Sequence, residues 1–298
     1  SFLLNRKGRI DADLVLVETG NRILVDLDRA VAASTAAALD AFLFTEDVRI
    51  ADRSDAFHQV QVHGPRAHEV LAAALGESEP IALDPHCAGA VTLAGVDVVV
   101  LRRDLTGEPG YAIIMPRDGA GAVWAALLET DAVLAEGRRR IRPVGWYAFN
   151  VARIEAGTPL FNIDFGATNL PHETGLIDAR VHFAKGCYVG QEVVARMHNL
   201  GRPKQILVGL RMRADRLPVA DGQVFAPGDD GAIGTPVGVV TSSTLSPMLG
   251  AAPIAFAMIR TVVAAAGRPV LVNAEGEQVE ADLGPLTFWT PGAPGAST

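Results

Sequence analysis

From Gly201-Arg202-Pro203 onward the chain changes texture. Short apolar runs punctuated by Gly and Pro follow one another at Gln205–Arg211, Val237–Thr241, Ile254–Ile259, Val270–Val272 and Gln278–Leu283. Regular short strands with turn signals between them predict a small β-barrel. The boundary is expected near Asn199–Pro203. It divides the chain into a region 1–198, a barrel domain 199–290 and a mobile Pro/Gly/Ala-rich tail 291–298.

Upstream of that boundary the pattern mixes strand pairs with helices. Leu14–Val17 and Ile23–Leu27 flank Thr19-Gly20-Asn21 as a hairpin, and Val91–Leu93 and Val96–Leu101 flank Ala94-Gly95 as another. Val31, Leu39, Phe42 and Leu43 fit one face of a helix. Val48–Ile50 and Val60–Val62 read as strands, and Pro65 opens a helix through Leu75. Tyr111–Met115 is a further strand, followed by a helix carrying Trp124 and Leu127. The sum is an α+β pattern rather than strict βαβ alternation. A helix from Pro143 to Glu155 is bounded by that Pro and by Gly157. Val144, Ala148, Val151 and Ala152 form its expected apolar stripe. Asn150 and Arg153 fall on another side, available to a ligand.

Bulk properties narrow the functional classes. A chain of 298 residues buries a large core, and its net charge of −8 argues against a nucleic-acid partner. Arg138-Arg139-Arg140 with Arg142 is a local exception, either a solvated stretch or an anion site. No apolar run approaches the roughly 20 residues of a membrane helix, and no signal-peptide pattern opens the chain, so a cytoplasmic protein is expected. The two cysteines, Cys87 and Cys187, are too few for an iron–sulfur cluster and too far apart in sequence to suggest a disulfide framework. His86-Cys87 has no second pair at ligand spacing, and no metal is expected. Phosphate-loop, nucleophile-elbow and zinc-protease motifs are absent.

The segment richest in chemistry is Lys185-Gly186-Cys187-Tyr188-Val189-Gly190-Gln191-Glu192. Free cysteine is commonly a small buried hydrophobe. Here, however, its neighbours are poor material for an apolar strand. Glycines on both sides let the backbone bend, Lys185 favours the thiolate, and Glu192–Met197 reads as the first turns of a helix whose N-terminus lies beside the thiol. Cys187 is thus expected to be accessible and Cys87, in the Asp84-Pro85-His86 turn, not. His182 and His198 bracket the octapeptide, either as proton-transfer groups or as ordinary surface histidines.

The octapeptide resembles the signature of the YgfZ family, folate-binding iron–sulfur maintenance proteins related to the T-protein of the glycine cleavage system. Thr106-Gly107-Glu108-Pro109-Gly110-Tyr111 and Arg153-Ile154-Glu155-Ala156-Gly157-Thr158-Pro159 resemble the two motifs this superfamily uses around folate, and Leu170-Pro171-His172-Glu173 continues the likeness. The resemblance implies T-protein-like folate-binding lobes around a central pocket followed by the barrel, and a monomer with several tens of residues missing before Ser1. It implies tetrahydrofolate as cofactor, and iron–sulfur client or assembly proteins as partners. Cys187, with Lys185, Gln191 and Glu192, would form the reacting group, and Arg153, Glu108, Tyr111, Asn150 and Tyr188 would contact folate. Arg153 suits a folate carboxylate and Glu108 the pterin ring. The plainer alternatives are an intrahelical or surface pair with Glu155 or a neighbour for the first and an ordinary turn for the second. Aminomethyl transfer in the T-protein relies on an Asp at the position matched by Ala12, and a second Glu is replaced by Ala112. Asp11 and Asp13 flank the first gap, but strand alternation points them away from residue 12. The implied function is assistance to iron–sulfur enzymes through Cys187, and the alternative is folate-dependent one-carbon transfer.

Overall fold

The computed structural model describes residues 1–77, 83–130, 141–228 and 233–292. Along the chain run β1 (Phe2–Leu4), β2 (Ile10–Asp13), β3 (Val15–Glu18), β4 (Ile23–Asp26), α1 (Ala32–Asp40), β5 (Phe57–His63) and α2 (Ala67–Leu75). These are followed by β6 (Ala88–Leu93), β7 (Val96–Arg102), β8 (Gly110–Pro116), α3 (Ala120–Glu129), α4 (Trp146–Glu155), α5 (Ile177–Arg180) and α6 (Gln191–Leu200). The last third holds β9 (Gln205–Met212), β10 (Gln223–Pro227), β11 (Ile233–Ser246), β12 (Ala252–Arg260), α7 (Thr261–Ala266), β13 (Val270–Ala274) and β14 (Glu277–Gly284). Two compact units result, one of residues 15–149 and one of residues 1–14 with 150–298; the division falls inside α4, after Phe149.

The unit of residues 15–149 is built on an antiparallel sheet in the order β5-β8-β7-β6. Central β8 is apolar along nearly its whole length because both of its faces are covered. Tyr111, Ile113 and Met115 join the core shared with Leu71 of α2 and Val123 and Leu127 of α3. Ala112, pointing the other way, packs with Leu101 and with Val17 of the β3–β4 hairpin. A strand buried on both faces loses the alternation that marks a half-exposed one.

In the unit of residues 1–14 and 150–298, six antiparallel strands close a barrel in the order β10-β11-β12-β9-β14-β13. Strand β12 again carries apolar residues on both faces. Ala255, Ala257 and Ile259 fill the barrel core. Phe256, on the outer face, stacks on Phe288 at 6.0 Å and lies 5.8 Å below the Arg153 guanidinium.

The fold class is the expected one, α+β with a barrel, while two local expectations are corrected and one barrel strand is added. Val48–Ile50 is not a strand, since residues 41–56 carry neither helix nor strand. Side chains there compete for the backbone: the Glu46 carboxylate accepts from Phe44 N and Thr45 N, and Asp52 accepts from Ser54 N at 2.9 Å. Helix α4 starts at Trp146 rather than Pro143, with Gly145 O accepting its first bond from Phe149 N. Strand β10 was not foreseen. No helix among the described residues is long and apolar enough to cross a membrane.

Candidate functional site

The octapeptide lies on a platform made by the β1–β2 turn. Asn5 shapes this turn, its Oδ1 accepting from Lys7 N and Arg9 N while its Nδ2 donates to Asp11 at 2.9 Å. Gly8 has φ +71°, and a Cβ there would meet Val193 of α6 at 2.8 Å. Gly190 has φ +83°, and its Cβ would meet Asn5 O at 2.6 Å. Two glycines in left-handed backbone therefore let turn and helix start touch directly. Gly186, by contrast, faces open space.

On that platform Gln191 ties the loop to the helix, its Oε1 accepting from Tyr188 N at 3.0 Å and its own N donating to Tyr188 O at 3.2 Å. Helix α6 begins there, as expected. Cys187 is exposed, and so are Lys185 and Glu192. The Lys185 ammonium lies 4.5 Å from the centre of the Tyr188 ring, a cation–π contact. Burial pushes the Tyr188 hydroxyl pKa up. Both residues line a cleft of about 250 Å³ with Phe2, Leu4, Arg180 and His182. The expected contrast between the cysteines is corrected: Cys87 is exposed too. His198 stacks on Phe183 at 3.9 Å and faces His172 at 6.1 Å. Burial, then His198, holds the His172 pKa below its ordinary value.

Strand β2 alternates as its sequence requires. Ile10 and Ala12 are buried, while Asp11 and Asp13 lie on the opposite face, where Asp13 receives Arg180 Nε at 2.9 Å. Neither acid replaces a carboxylate at residue 12.

Arg153 occupies a different environment from the one its helix position suggested. It has no exposed surface. Its Nη1 donates to Asp164 Oδ2 at 2.5 Å and to Thr158 O, its Nη2 to Ser242 Oγ at 2.7 Å, and its Nε to Asn150 Oδ1 at 2.8 Å. Asp164 is further satisfied by Ser242 Oγ, Thr241 Oγ1 and Leu160 N. The side of α4 read as ligand-facing is therefore its buried side, and Val144, placed in the apolar stripe, is 68% exposed. Of the acids offered as pairing partners, Glu155 is not the one used: its Oε1 accepts from Ser246 Oγ and Met248 N, and Asp164 pairs with Arg153. Sequence reasoning missed Asp164 and Ser242; an acid between apolar residues in Phe161-Asn162-Ile163-Asp164-Phe165 was the available signal.

In the unit of residues 15–149, residues 103–109 form a tight loop before β8. Asp104 organises it, its carboxylate holding Arg102 at 2.5 and 3.0 Å and Gly110 N at 2.9 Å. Gly107 has φ +79°. Glu108 finds no partner among the described residues, and burial pushes its carboxyl pKa up. Tyr111 points into the core and has no exposed surface. A Cβ on Gly110 would meet His63 Nδ1 and Arg103 O, both at 2.3 Å, so the histidine ring lies flush on the loop. His63 Nε2 is 2.9 Å from Gln61 Oε1, while buried Nδ1 meets no partner. Burial, with Arg103 assisting, pushes the His63 pKa down to about 4.

Arg138–Arg140 and the tail from residue 293 lie outside the described residues; Arg142 is exposed. No group of three or more His, Cys, Asp or Glu side chains among the described residues is placed to hold a metal ion.

A mixed α+β body with a six-stranded barrel and two glycine-bounded loops defines a protein of the glycine cleavage T-protein class. Residues 1–185 match the GCVT N-terminal domain and residues 205–289 the glycine cleavage T-protein C-terminal barrel domain. The chain belongs to the GCVT family. It is 36% identical over 218 residues to an aminomethyltransferase of Exiguobacterium sibiricum, covering 73% of this chain and 55% of that protein. With the aminomethyltransferase of Geobacillus kaustophilus it shares 33% over 244 residues, covering 82% and 63%. The chain thus spans less than two thirds of either relative. The crystal structure of glycine cleavage system aminomethyltransferase T from Bartonella henselae has the same fold, with a TM-score of 0.80 at 24% identity over 97% of this chain and 75% of that one.

Proposed function

We propose that this protein binds a tetrahydrofolate and uses the exposed Cys187, rather than a carboxylate on β2, as its functional group in support of iron–sulfur proteins, as in the YgfZ branch. The observation that carries the reading is the pairing of an exposed thiol on a tied-down loop with a fully buried Ala12 where the transferases use an acid. Folate binding is supported by membership of the GCVT family. Glu108, half-buried and without a partner among the described residues, is the group offered to the pterin ring, whose donors suit a carboxylate. Tyr188, next to Cys187 in sequence, and Lys185 line the cleft. Arg153 and Asn150 have their polar groups engaged with each other and with Asp164 in one unit, and Tyr111 is fully buried in the other, so none of the three offers a free group to the ligand.

A second reading, folate-dependent aminomethyl transfer, is favoured by the names of the relatives that are 36% and 33% identical. Incubation with aminomethylated lipoyl carrier protein and tetrahydrofolate, with methylenetetrahydrofolate measured, separates the two. The first reading expects no turnover, because loss of an acid–base group alone costs about 10²–10⁴ in rate. Turnover at the level of an aminomethyltransferase overturns it.

A further inference from the structure

Positive charge gathers around the octapeptide of an otherwise acidic chain. The β1–β2 turn, the octapeptide and α6, residues 5–9 and 185–200, carry five basic side chains, Arg6, Lys7, Arg9, Lys185 and Arg196, against the single acid Glu192, while the whole chain has a net charge of −8. All five are exposed, and none meets a carboxylate among the described residues. Packing brings them together. Gly8, between Lys7 and Arg9, lies against Val193 and Gly190. Arg196 follows Val193 by one helical turn on the same side, and Leu200, 87% exposed, extends that side. Lys185 is held near the helix start by Tyr188, which Gln191 ties down. Val194 is the one buried residue of α6, so the helix lies open.

We infer that this surface docks a partner protein through a cluster of Asp and Glu side chains on the partner, with exposed Leu200 and Val189 as apolar contacts, so that the partner covers the Cys187 loop. Five unpaired cations repel one another, and carboxylates across an interface offset that repulsion while steering the encounter. Arginine interspersed with exposed aliphatic side chains suits a protein face. Nucleic acid is repelled at long range by the net charge of −8. The charge and the packing require no folate. Only the statement that the partner meets a functional thiol rests on the reading above, and a binding test without folate or thiol chemistry keeps the two failures distinguishable.

Fluorescence anisotropy of a labelled Asp/Glu-rich peptide containing one Leu, titrated with the full chain at about 50 mM salt, tests this. Wild type should bind saturably, and less tightly as salt rises. Arg6→Glu with Lys7→Glu and Arg196→Glu should weaken binding roughly ten- to a hundred-fold, and the neutral set Arg6→Gln, Lys7→Gln and Arg196→Gln by a smaller factor. Arg22→Glu with Arg49→Glu and Arg268→Glu makes the same change in net charge at exposed positions outside the turn and α6, and should stay within about three-fold of wild type. The substituted side chains are exposed, so melting temperatures should hardly move. Failure of wild type to bind the peptide overturns the inference, as does equal binding by the Glu and Gln sets, or an equal loss in the control set. Tighter binding of a short DNA duplex that displaces the peptide would assign the surface to nucleic acid instead, and self-association that displaces it would assign it to a second copy.

Discussion

Arg153 and Asp164 form a fully buried ion pair, Nη1 to Oδ2 2.5 Å, with neither side chain exposed. Ser242 Oγ bridges the two, accepting from Arg153 Nη2 and donating to Asp164 Oδ1. The network joins α4, residues 158–164 and barrel strand β11. Its geometry changes what a mutation of Arg153 is expected to do.

Arg153→Ala leaves Asp164 buried without its counter-charge, and breaking such a pair costs about 3–5 kcal/mol. The expected outcome is a large loss of stability in urea unfolding rather than a selective loss of ligand affinity. The double variant Arg153→Met with Asp164→Leu removes both charges and should recover most of the loss. A stable Arg153→Ala protein with weakened folate binding would instead return Arg153 to the ligand site.

Restoring the acids of the transferases should also fail. Ala112 is packed between Val17 and Leu101, and Ala12 has no exposed surface. Ala112→Glu and Ala12→Asp each place a carboxylate where none is solvated, at a cost of about 3 kcal/mol or more. Chemical denaturation of each variant checks this. A variant as stable as wild type that also gained aminomethyl transfer would contradict it.

His63 makes stability depend on pH. Its folded pKa of about 4 lies below the ordinary 6.5, because burial disfavours the imidazolium. The unfolded chain therefore takes up the proton first as pH falls. The contribution is fully present above about pH 6.5 and is lost progressively toward pH 4, amounting to about 3 kcal/mol at most. Unfolding free energies measured from pH 7 to pH 4 should decline, and His63→Gln should flatten that part of the profile. Parallel profiles in the two proteins would remove His63 as the cause.

The two glycines around the thiol should respond differently. Gly190→Ala meets both a positive φ and Asn5 O, so it should cost well over 1 kcal/mol and disturb the Cys187 loop. Gly186→Ala faces open space and should stay within about 0.5 kcal/mol of wild type. Thermal melts with thiol-labelling rates on both variants give the comparison, and equal behaviour would contradict the docking described for Gly190.

What was legible in the chain follows from range. Hairpins about Gly20 and Gly95, the α6 start at Gln191 and five of the six barrel strands announce themselves through neighbouring residues, because turn chemistry and periodicity are local. Ala12 and its alternating acids were readable for the same reason. Partners of Arg153 were not, since Ser242 is 89 residues away and helical spacing alone cannot tell a face turned to a ligand from one turned to a buried acid. Val48–Ile50 has the composition of a strand but no partner strand, so pairing overrode propensity. The ring contact between Phe149 and His63 joins two residues that no motif links.

The central claim, reduced-folate binding independent of the thiol, is tested most directly by calorimetric titration of tetrahydrofolate into wild type and Cys187→Ser. The account predicts saturable binding with the same affinity in both, since Cys187 is exposed on the loop and the variant changes one small side chain. Absence of binding heat in a folded wild-type protein at millimolar ligand, or loss of binding in the Ser variant, would contradict it.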